Sequence, residues 1–170
     1  YGLKELVFND KLQKIGIEAF GNCEKIQSVI CNTDLQKIGR NAFWYCTMLS
    51  DVRLNNGLVE LENGVFNGCY SLAEILLPDS LQTIGEECFA ECTSLTSIEI
   101  SKGMISIGMN AFRNDRNLNT ITFAKDCAIS RLNYGAFSYS GIQSIVIPKS
   151  VTSMGQEIFS YCTELKSVTF

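Results

Sequence analysis

A regular spacing of phenylalanines divides the chain into short repeats. Seven of them follow one another at intervals of 23, 23, 23, 23, 25 and 22 residues: Phe20, Phe43, Phe66, Phe89, Phe112, Phe137 and Phe159. An aliphatic residue or methionine precedes each by five positions, a glycine follows that residue in five copies, and a cysteine comes three positions after the phenylalanine in five. A unit this short cannot hold a strand and a long crossover helix. We therefore expect each repeat to form one coil of a solenoid, with parallel strands stacked about 4.8 Å apart.

An L-x-x-I-x-I pattern between the phenylalanines predicts eight strands. Its last two apolar positions alternate with polar or variable residues, which is the period of a half-buried strand. These pairs are Leu6/Phe8, Val29/Cys31, Val52/Leu54, Ile75/Leu77, Ile98/Ile100, Ile121/Phe123, Ile145/Ile147 and Val168/Phe170. Turn signals such as Pro78-Asp79 and Pro148-Lys149 follow them. We expect residues 1–170 to form a single array of about seven repeats.

The combined unit L-x-x-I-x-I-P-x-x-L-x-x-I-G-x-x-A-F-x-x-C, best seen from Leu72 to Cys92, resembles the leucine-rich repeat of BspA-like surface proteins. The resemblance covers the whole chain. It implies a mostly β, right-handed leucine-rich repeat solenoid, with a parallel concave β-sheet and short strands, 3₁₀ turns or helical turns on the convex side. It also implies a non-enzymatic protein-binding module, the adhesive, host- or matrix-interacting part of a surface or secreted protein. An intracellular scaffold in the cytoplasm and a passive structural spacer are the alternatives.

Each column of the repeat also has an interior packing role. We expect the phenylalanines to stack as an aromatic ladder. The glycines are expected in left-handed or tightly packed backbone positions. We expect the eight cysteines to be free thiols that pack as small apolar groups, although their column is interrupted at Asp115 and Ser140. The 25-residue interval predicts a two-residue insertion within residues 124–130, which bulges from a connection.

The composition argues against several classes of function. The chain has no histidine, so catalysis by a Ser-His-Asp or Cys-His set and histidine metal sites are excluded. No C-x-x-C motif is present, and we predict no catalytic, cofactor or metal site. A net charge of −4 gives no reason to expect nucleic acid. No apolar run reaches the roughly 18 residues needed for membrane insertion.

The exposed residues of the predicted concave sheet are the candidate binding face. Asp51 and Glu74 are expected on adjacent strands, about 5 Å apart, where two carboxylates repel unless matched. Such a face is suited to dock a basic segment or a cation, with Ile30 and Leu76 as apolar anchors. The alternative is a solvated strand face that binds nothing. The candidate residues are Glu5, Ile30, Asp51, Arg53, Glu74, Leu76, Glu99 and Thr122.

The two ends of the chain lack the polar caps that solenoids need. Tyr1-Gly2-Leu3 enters directly in strand register, and Phe170 completes a strand. We therefore expect a fragment of a longer array, or a partner that covers the ends. End-to-end self-association through the uncapped strands is a further expectation.

Overall fold

The computed structural model describes residues 2–170 and contains fourteen short strands. Tyr1, where the predicted array begins, lies outside the described residues. One set of strands forms the concave side: β1 (Glu5–Val7), β3 (Ser28–Ile30), β5 (Asp51–Arg53), β8 (Ser97–Ile100), β10 (Thr120–Phe123), β12 (Ser144–Val146) and β14 (Ser167–Thr169). The other set forms the convex side: β2 (Lys14–Ile15), β4 (Lys37–Ile38), β6 (Glu60–Leu61), β7 (Thr83–Ile84), β9 (Ser106–Ile107), β11 (Arg131–Leu132) and β13 (Ser153–Met154). The two sets alternate along the chain, except where β7 directly follows β6.

All the strand pairs are parallel, and they keep equivalent residues of successive repeats side by side. Leu6 pairs with Val29, for example, and Val29 with Val52. The convex strands form one continuous seven-stranded sheet. The concave strands form two sheets, one in the order β1-β3-β5 and one in the order β14-β12-β10-β8. The structure therefore confirms the solenoid and the predicted parallel register.

The phenylalanine column is a continuous ladder in the core. The seven rings that set the repeat are stacked with centroid separations of 5.3 to 5.9 Å. Five of them are fully buried, from Phe43 to Phe137, while the two end rings, Phe20 and Phe159, are partly exposed. The predicted aromatic ladder is confirmed, and it joins every repeat to the next.

The backbone around each phenylalanine forms consecutive turns, and the described residues contain no helix. Two residues per repeat adopt positive φ, at two positions before and two after the phenylalanine; in one repeat these are Gly64 and Gly68. This geometry points alternate N–H groups at the next repeat. The N–H groups of Asn41, Phe43 and Tyr45 thus donate to the carbonyls of Asn63, Val65 and Asn67 at 2.9, 3.0 and 2.7 Å. The turns add a second ladder of hydrogen bonds beside the sheets.

The cysteine column forms a third ladder of hydrogen bonds. The Sγ atoms of Cys46, Cys69 and Cys92 donate to the carbonyls of Phe20, Phe43 and Phe66 at 3.2, 3.3 and 3.2 Å. All eight cysteines are free thiols. Because each thiol of this set is directed at a carbonyl rather than at the next sulfur, the column packs without disulfides, as predicted.

The glycines that follow the convex strands are required by close packing between repeats. A Cβ on Gly85 would lie 2.5 Å from the carbonyl carbon of Glu62 in the preceding repeat. Gly16 belongs to the same column but has no atom within 4 Å of that position, because it lies in the first repeat. Of the two alternatives left open by the sequence, close packing is therefore correct for Gly85, which does not have a positive φ.

One of the eight predicted strands does not form. The segment 74–77, which carries the Ile75/Leu77 pair, has no strand partner, and this is why the concave sheet is divided in two. The residue that follows the segment is Pro78. Two repeats later, Ala124 occupies the equivalent position, and its N–H donates to the carbonyl of Ile100 at 2.9 Å. Proline has no N–H, so Pro78 cannot make this bond. Asn55, at the same position one repeat earlier, does not make it either, yet β5 is paired with β3, so the proline alone does not account for the unpaired segment.

Candidate binding face

The concave strands bring most of the predicted binding residues into two separate groups. Glu5 and Asp51 lie in one exposed row of β1, β3 and β5, while Ile30 and Arg53 lie in the neighbouring row. Glu99 and Thr122 are direct register partners on β8 and β10. Glu74 and Leu76 lie between these groups, on the unpaired segment 74–77. The rows are therefore as predicted, apart from the interruption at the fourth repeat.

The acidic pair expected at Asp51 and Glu74 is not a pair of strand neighbours. No strand register joins β5 to the segment 74–77, because the sheet ends between them. Asp51 is instead paired with Arg53 on its own strand, where the guanidinium Nη2 lies 3.1 Å from Oδ2 and Nε lies 3.3 Å from Oδ1. Glu74 makes no ion pair with any described residue. The free negative charge at this place is therefore that of Glu74 alone.

A cleft of about 610 Å³ lies along the interruption. Residues 50–54 form one wall and residues 74–76 the other. The side chain of Leu76 is 87% exposed at its edge, although a leucine of this size is normally buried. No N–H or C=O of residues 74–77 is hydrogen-bonded to another described backbone group. The cleft thus combines an exposed leucine, an unpaired carboxylate and unpaired backbone groups, which together suit an extended polypeptide with a cationic side chain.

A second group of acidic and basic residues, on the convex sheet, is internally paired. The ammonium group of Lys37 lies 2.7 Å from a carboxylate oxygen of Glu60 and 2.6 Å from one of Glu62. The hydrogen bonds to both carboxylates raise the pKa of Lys37, and the hydrogen bond from Lys37 lowers the pKa of Glu62. Because both carboxylates are already paired with Lys37, this cluster offers less to a charged partner than the unpaired Glu74 of the concave cleft.

Other features define what the face can hold. Among residues 2–170, no three histidine, cysteine, aspartate or glutamate side chains are grouped so that they could hold a metal ion. No helix in this part of the chain is long and apolar enough to cross a membrane.

Sequence reasoning also missed a second opening of the concave sheet, between β10 and β12. The chain's second proline, Pro148, follows β12 at this place and was interpreted only as part of a turn.

Several solved structures are similar to this one. A leucine rich cell surface protein from Faecalibacterium prausnitzii A2-165 matches 99% of the chain at 24% identity, with a TM-score of 0.85. A leucine rich repeat protein of T. pallidum matches 96% at 26% identity, with a TM-score of 0.83. The pneumococcal vaccine antigen PcpA matches 98% at 18% identity, with a TM-score of 0.64. The chain covers 48%, 78% and 40% of these proteins, respectively.

The repeat itself gives the family. A search of curated proteins found no match. Six copies of the BspA type leucine rich repeat region are recognised, at residues 2–102 and 82–170, which together cover all the described repeats. With its phenylalanine and cysteine ladders and its two parallel strands per repeat, the chain belongs to the BspA type leucine-rich repeat family.

Proposed function

We propose that this chain is the non-enzymatic, protein-binding part of a longer surface or secreted protein, and that it docks a basic, extended segment in the concave cleft. The family and the leucine-rich repeat fold support the general role, since this type of scaffold is a protein-interaction module. The names of two neighbours, a cell surface protein and a vaccine antigen, favour an extracellular or surface location. The chain covers only 48% of the first of these, which favours a longer whole protein.

The cleft between residues 50–54 and 74–76 is the observation that carries the docking proposal. An arriving lysine or arginine would meet Glu74, with Glu99 on one flanking strand and Asp51, already paired with Arg53, on the other. An apolar residue beside it would cover Leu76, whose exposed surface favours binding when it is removed from water. The backbone of the arriving segment would find the unpaired N–H and C=O groups of residues 74–77. Each contact needs only an exposed surface, so binding would leave the core unchanged.

The test replaces the three concave acids by serine: Asp51→Ser, Glu74→Ser and Glu99→Ser. The probes are an acetylated, amidated hexapeptide of alternating lysine and leucine, and its glutamate–leucine counterpart. Immobilised fibronectin, laminin and collagen serve as candidate matrix ligands in a pull-down. We expect the parent to prefer the lysine peptide and the triple variant to lose at least tenfold in affinity. The loss should be larger at low salt, since the Debye length is about 30 Å at 0.01 M and about 8 Å at physiological ionic strength.

A charge-matched variant separates a local effect from a change in net charge. Glu24→Ser, Asp34→Ser and Glu164→Ser also remove three negative charges, from exposed sites outside the concave strands. This variant should bind the lysine peptide like the parent, and both variants should melt within a few degrees of it. Equal binding by the parent and the concave variant would contradict the docking site. If the parent binds none of the probes, the spacer alternative is favoured.

For the isolated 170-residue chain, self-association through the outer concave strands is a further part of the proposal. β1 and β14 each have one strand neighbour, and the side chain of Phe170 beside β14 is 77% exposed. An open strand edge with an apolar residue next to it is a template for pairing with another chain. Light scattering coupled to size-exclusion chromatography should show dimers or larger species as the concentration rises. A monomer throughout would contradict this part.

For the location, protease treatment of intact cells should cleave a surface protein and spare a cytoplasmic one.

A further inference from the structure

The concave sheet opens a second time, between β10 and β12. β10 pairs with β8 at all four of its residues, but with β12 only through Thr120 and Ser144. Pro148 follows β12 and occupies the position of Ala124 in the preceding repeat. Ala124 donates its N–H to the carbonyl of Ile100, whereas Pro148 has no N–H to offer to Phe123. The register joins the two strands at their beginning and not at their end.

A pocket of about 650 Å³ lies in this opening. Its inner surface is apolar: Ile121 and Ile145 are buried below it, Phe123 is half-buried, and Val146 and Pro148 also line it. Thr120, Thr122 and Ser144 add hydroxyl groups. This volume and this mixture are those of ligand pockets in proteins, which measure about 300–1,000 Å³ and are mostly apolar with few polar groups.

The predicted two-residue insertion shapes one wall of the pocket. Cys127 stands where the preceding repeat has Met104, and the smaller side chain leaves room in the core. Ile129, which comes two residues later, is fully buried and supplies an apolar side chain there. Asp126, in the turn before Cys127, has a φ of 61° and lines this wall. The hydroxyl of Ser150 anchors the wall by donating to the carbonyl of Cys127 at 3.0 Å. The wall is thus fixed by the core and by the next repeat.

The segments 124–127 and 148–150, which line the pocket, carry a net charge opposite in sign to that of the chain as a whole. Lys149 and Asp126 line the pocket, and Lys125 precedes Asp126 in the same turn, so these segments carry two ammonium groups and one carboxylate. Neither lysine forms an ion pair with a described residue. The chain carries a net charge of −4, yet this place favours an anion. An apolar floor below an unpaired ammonium fits a ligand with an apolar group next to a carboxylate.

From this arrangement we propose that the pocket between β10 and β12 binds an aromatic or branched aliphatic side chain of a protein ligand, with an adjacent carboxylate held by Lys149. The site is separate from the acidic cleft at residues 50–54 and 74–76, and its preferred charge is the opposite one. A ligand that spans the concave face would therefore carry basic residues toward one end and an acidic, apolar anchor toward the other.

The experiment uses small molecules that represent the anchoring side chain of the protein ligand. ¹⁵N-labelled protein is titrated with N-acetyl-L-phenylalanine and with its uncharged amide, N-acetyl-L-phenylalaninamide, and followed by two-dimensional NMR. Ligands of this size reach millimolar affinity in a good pocket. We expect shift changes confined to residues 120–127 and 144–150, and at least threefold tighter binding of the acid. Lys149→Gln should abolish the preference for the acid and leave binding of the amide unchanged.

A matched pair of variants tests the apolar wall. Val146 and Val7 lie in the same exposed row, on different strands, and both side chains are 66% exposed. Val146→Asp should weaken the binding of both probes at least tenfold, whereas Val7→Asp should leave it unchanged. The proposal is overturned if the probes move no resonance of the pocket, if the two valine variants bind alike, or if Lys149→Gln keeps the preference for the acid.

The proposals for the acidic cleft and for the pocket can be refuted independently. The triple serine variant at Asp51, Glu74 and Glu99 should bind the phenylalanine probes like the parent, and Val146→Asp should bind the lysine–leucine peptide like the parent. Loss of phenylalanine binding in the triple variant would contradict a separate pocket.

Discussion

Replacing Asp115 by cysteine tests the hydrogen-bonded cysteine column. Asp115 stands in that column, is fully buried, and neither carboxyl oxygen has a hydrogen-bond partner. The thiols of Cys46, Cys69 and Cys92 each donate to the carbonyl of the phenylalanine 26 residues earlier, as Cys92 does to Phe66. For residue 115 that carbonyl belongs to Phe89. Asp115→Cys should remove two unpaired buried oxygens and restore the bond, which is worth about 1–3 kcal/mol of unfolding free energy.

The gain in unfolding free energy from Asp115→Cys should increase with pH. Burial raises the pKa of Asp115 well above the ordinary value of 3.8, so the folded protein holds a proton that the unfolded chain releases. Below pH 3.8, Asp115 is protonated in both states and lowers the free energy of unfolding least. As the pH rises from there toward the raised pKa, the parent loses stability. The loss approaches about 1.4 kcal/mol per pH unit while the folded group is protonated and the unfolded one is ionised. The cysteine variant lacks this slope.

Urea denaturation at pH 4.5, 5.0 and 5.5, with reductant present, measures both effects. The difference in stability between Asp115→Cys and the parent should grow with pH by about 1.4 kcal/mol per unit. Ser140→Cys is the control, because Ser140 also interrupts the column but does not titrate in this range. Its stability difference from the parent should be the same at all three pH values. A constant difference for Asp115→Cys would refute a protonated, buried carboxyl group, and a less stable variant would refute the restored hydrogen bond.

Other expectations concern the core. Phe66→Ala should cost about 3–5 kcal/mol in urea denaturation, because the ring is fully buried and stacked 5.7 and 5.5 Å from its neighbours; a cost below about 1 kcal/mol would contradict the ladder. Gly85→Ala should cost about 1–3 kcal/mol, since its Cβ would meet backbone at 2.5 Å, while Gly16→Ala should be close to neutral; equal costs would refute close packing. Titration with a thiol reagent in denaturant without reductant should find all eight cysteines, and fewer than about six would overturn the free-thiol assignment.

Side-chain periodicity was enough to predict which residues are buried. The phenylalanine and cysteine columns, the parallel register and the rows of the concave face all follow from it, because every repeat has the same environment and selects the same residues. The close packing of Gly85 follows less directly, since the sequence also allowed a left-handed backbone there. What decides it is the distance to the backbone of the preceding repeat, which only the structure gives.

Backbone pairing was harder to predict. Ile75 and Leu77 alternate like the apolar residues of any other concave strand, and Ile75 is indeed buried. Burial of a side chain does not require that the N–H beside it finds a strand partner. The chain's only two prolines, Pro78 and Pro148, follow the two places where the sheet opens, but both were interpreted solely as turn residues. The N–H that each proline removes, however, is also unbonded in Asn32 and Asn55, whose strands are paired.

The break at residues 74–77 has a mechanical consequence. Hydrogen bonds between the strands of a solenoid run along its long axis, so a pull on the two ends stretches them directly. At the fourth repeat the concave side has no such bonds from strand to strand, and the tension passes through the convex sheet, the turns and the aromatic stack. Force applied off that line should bend the solenoid more readily at this repeat than where the concave strands are fully paired. The chain therefore has a point of easier bending on its concave side, with three concave strands before it and four after.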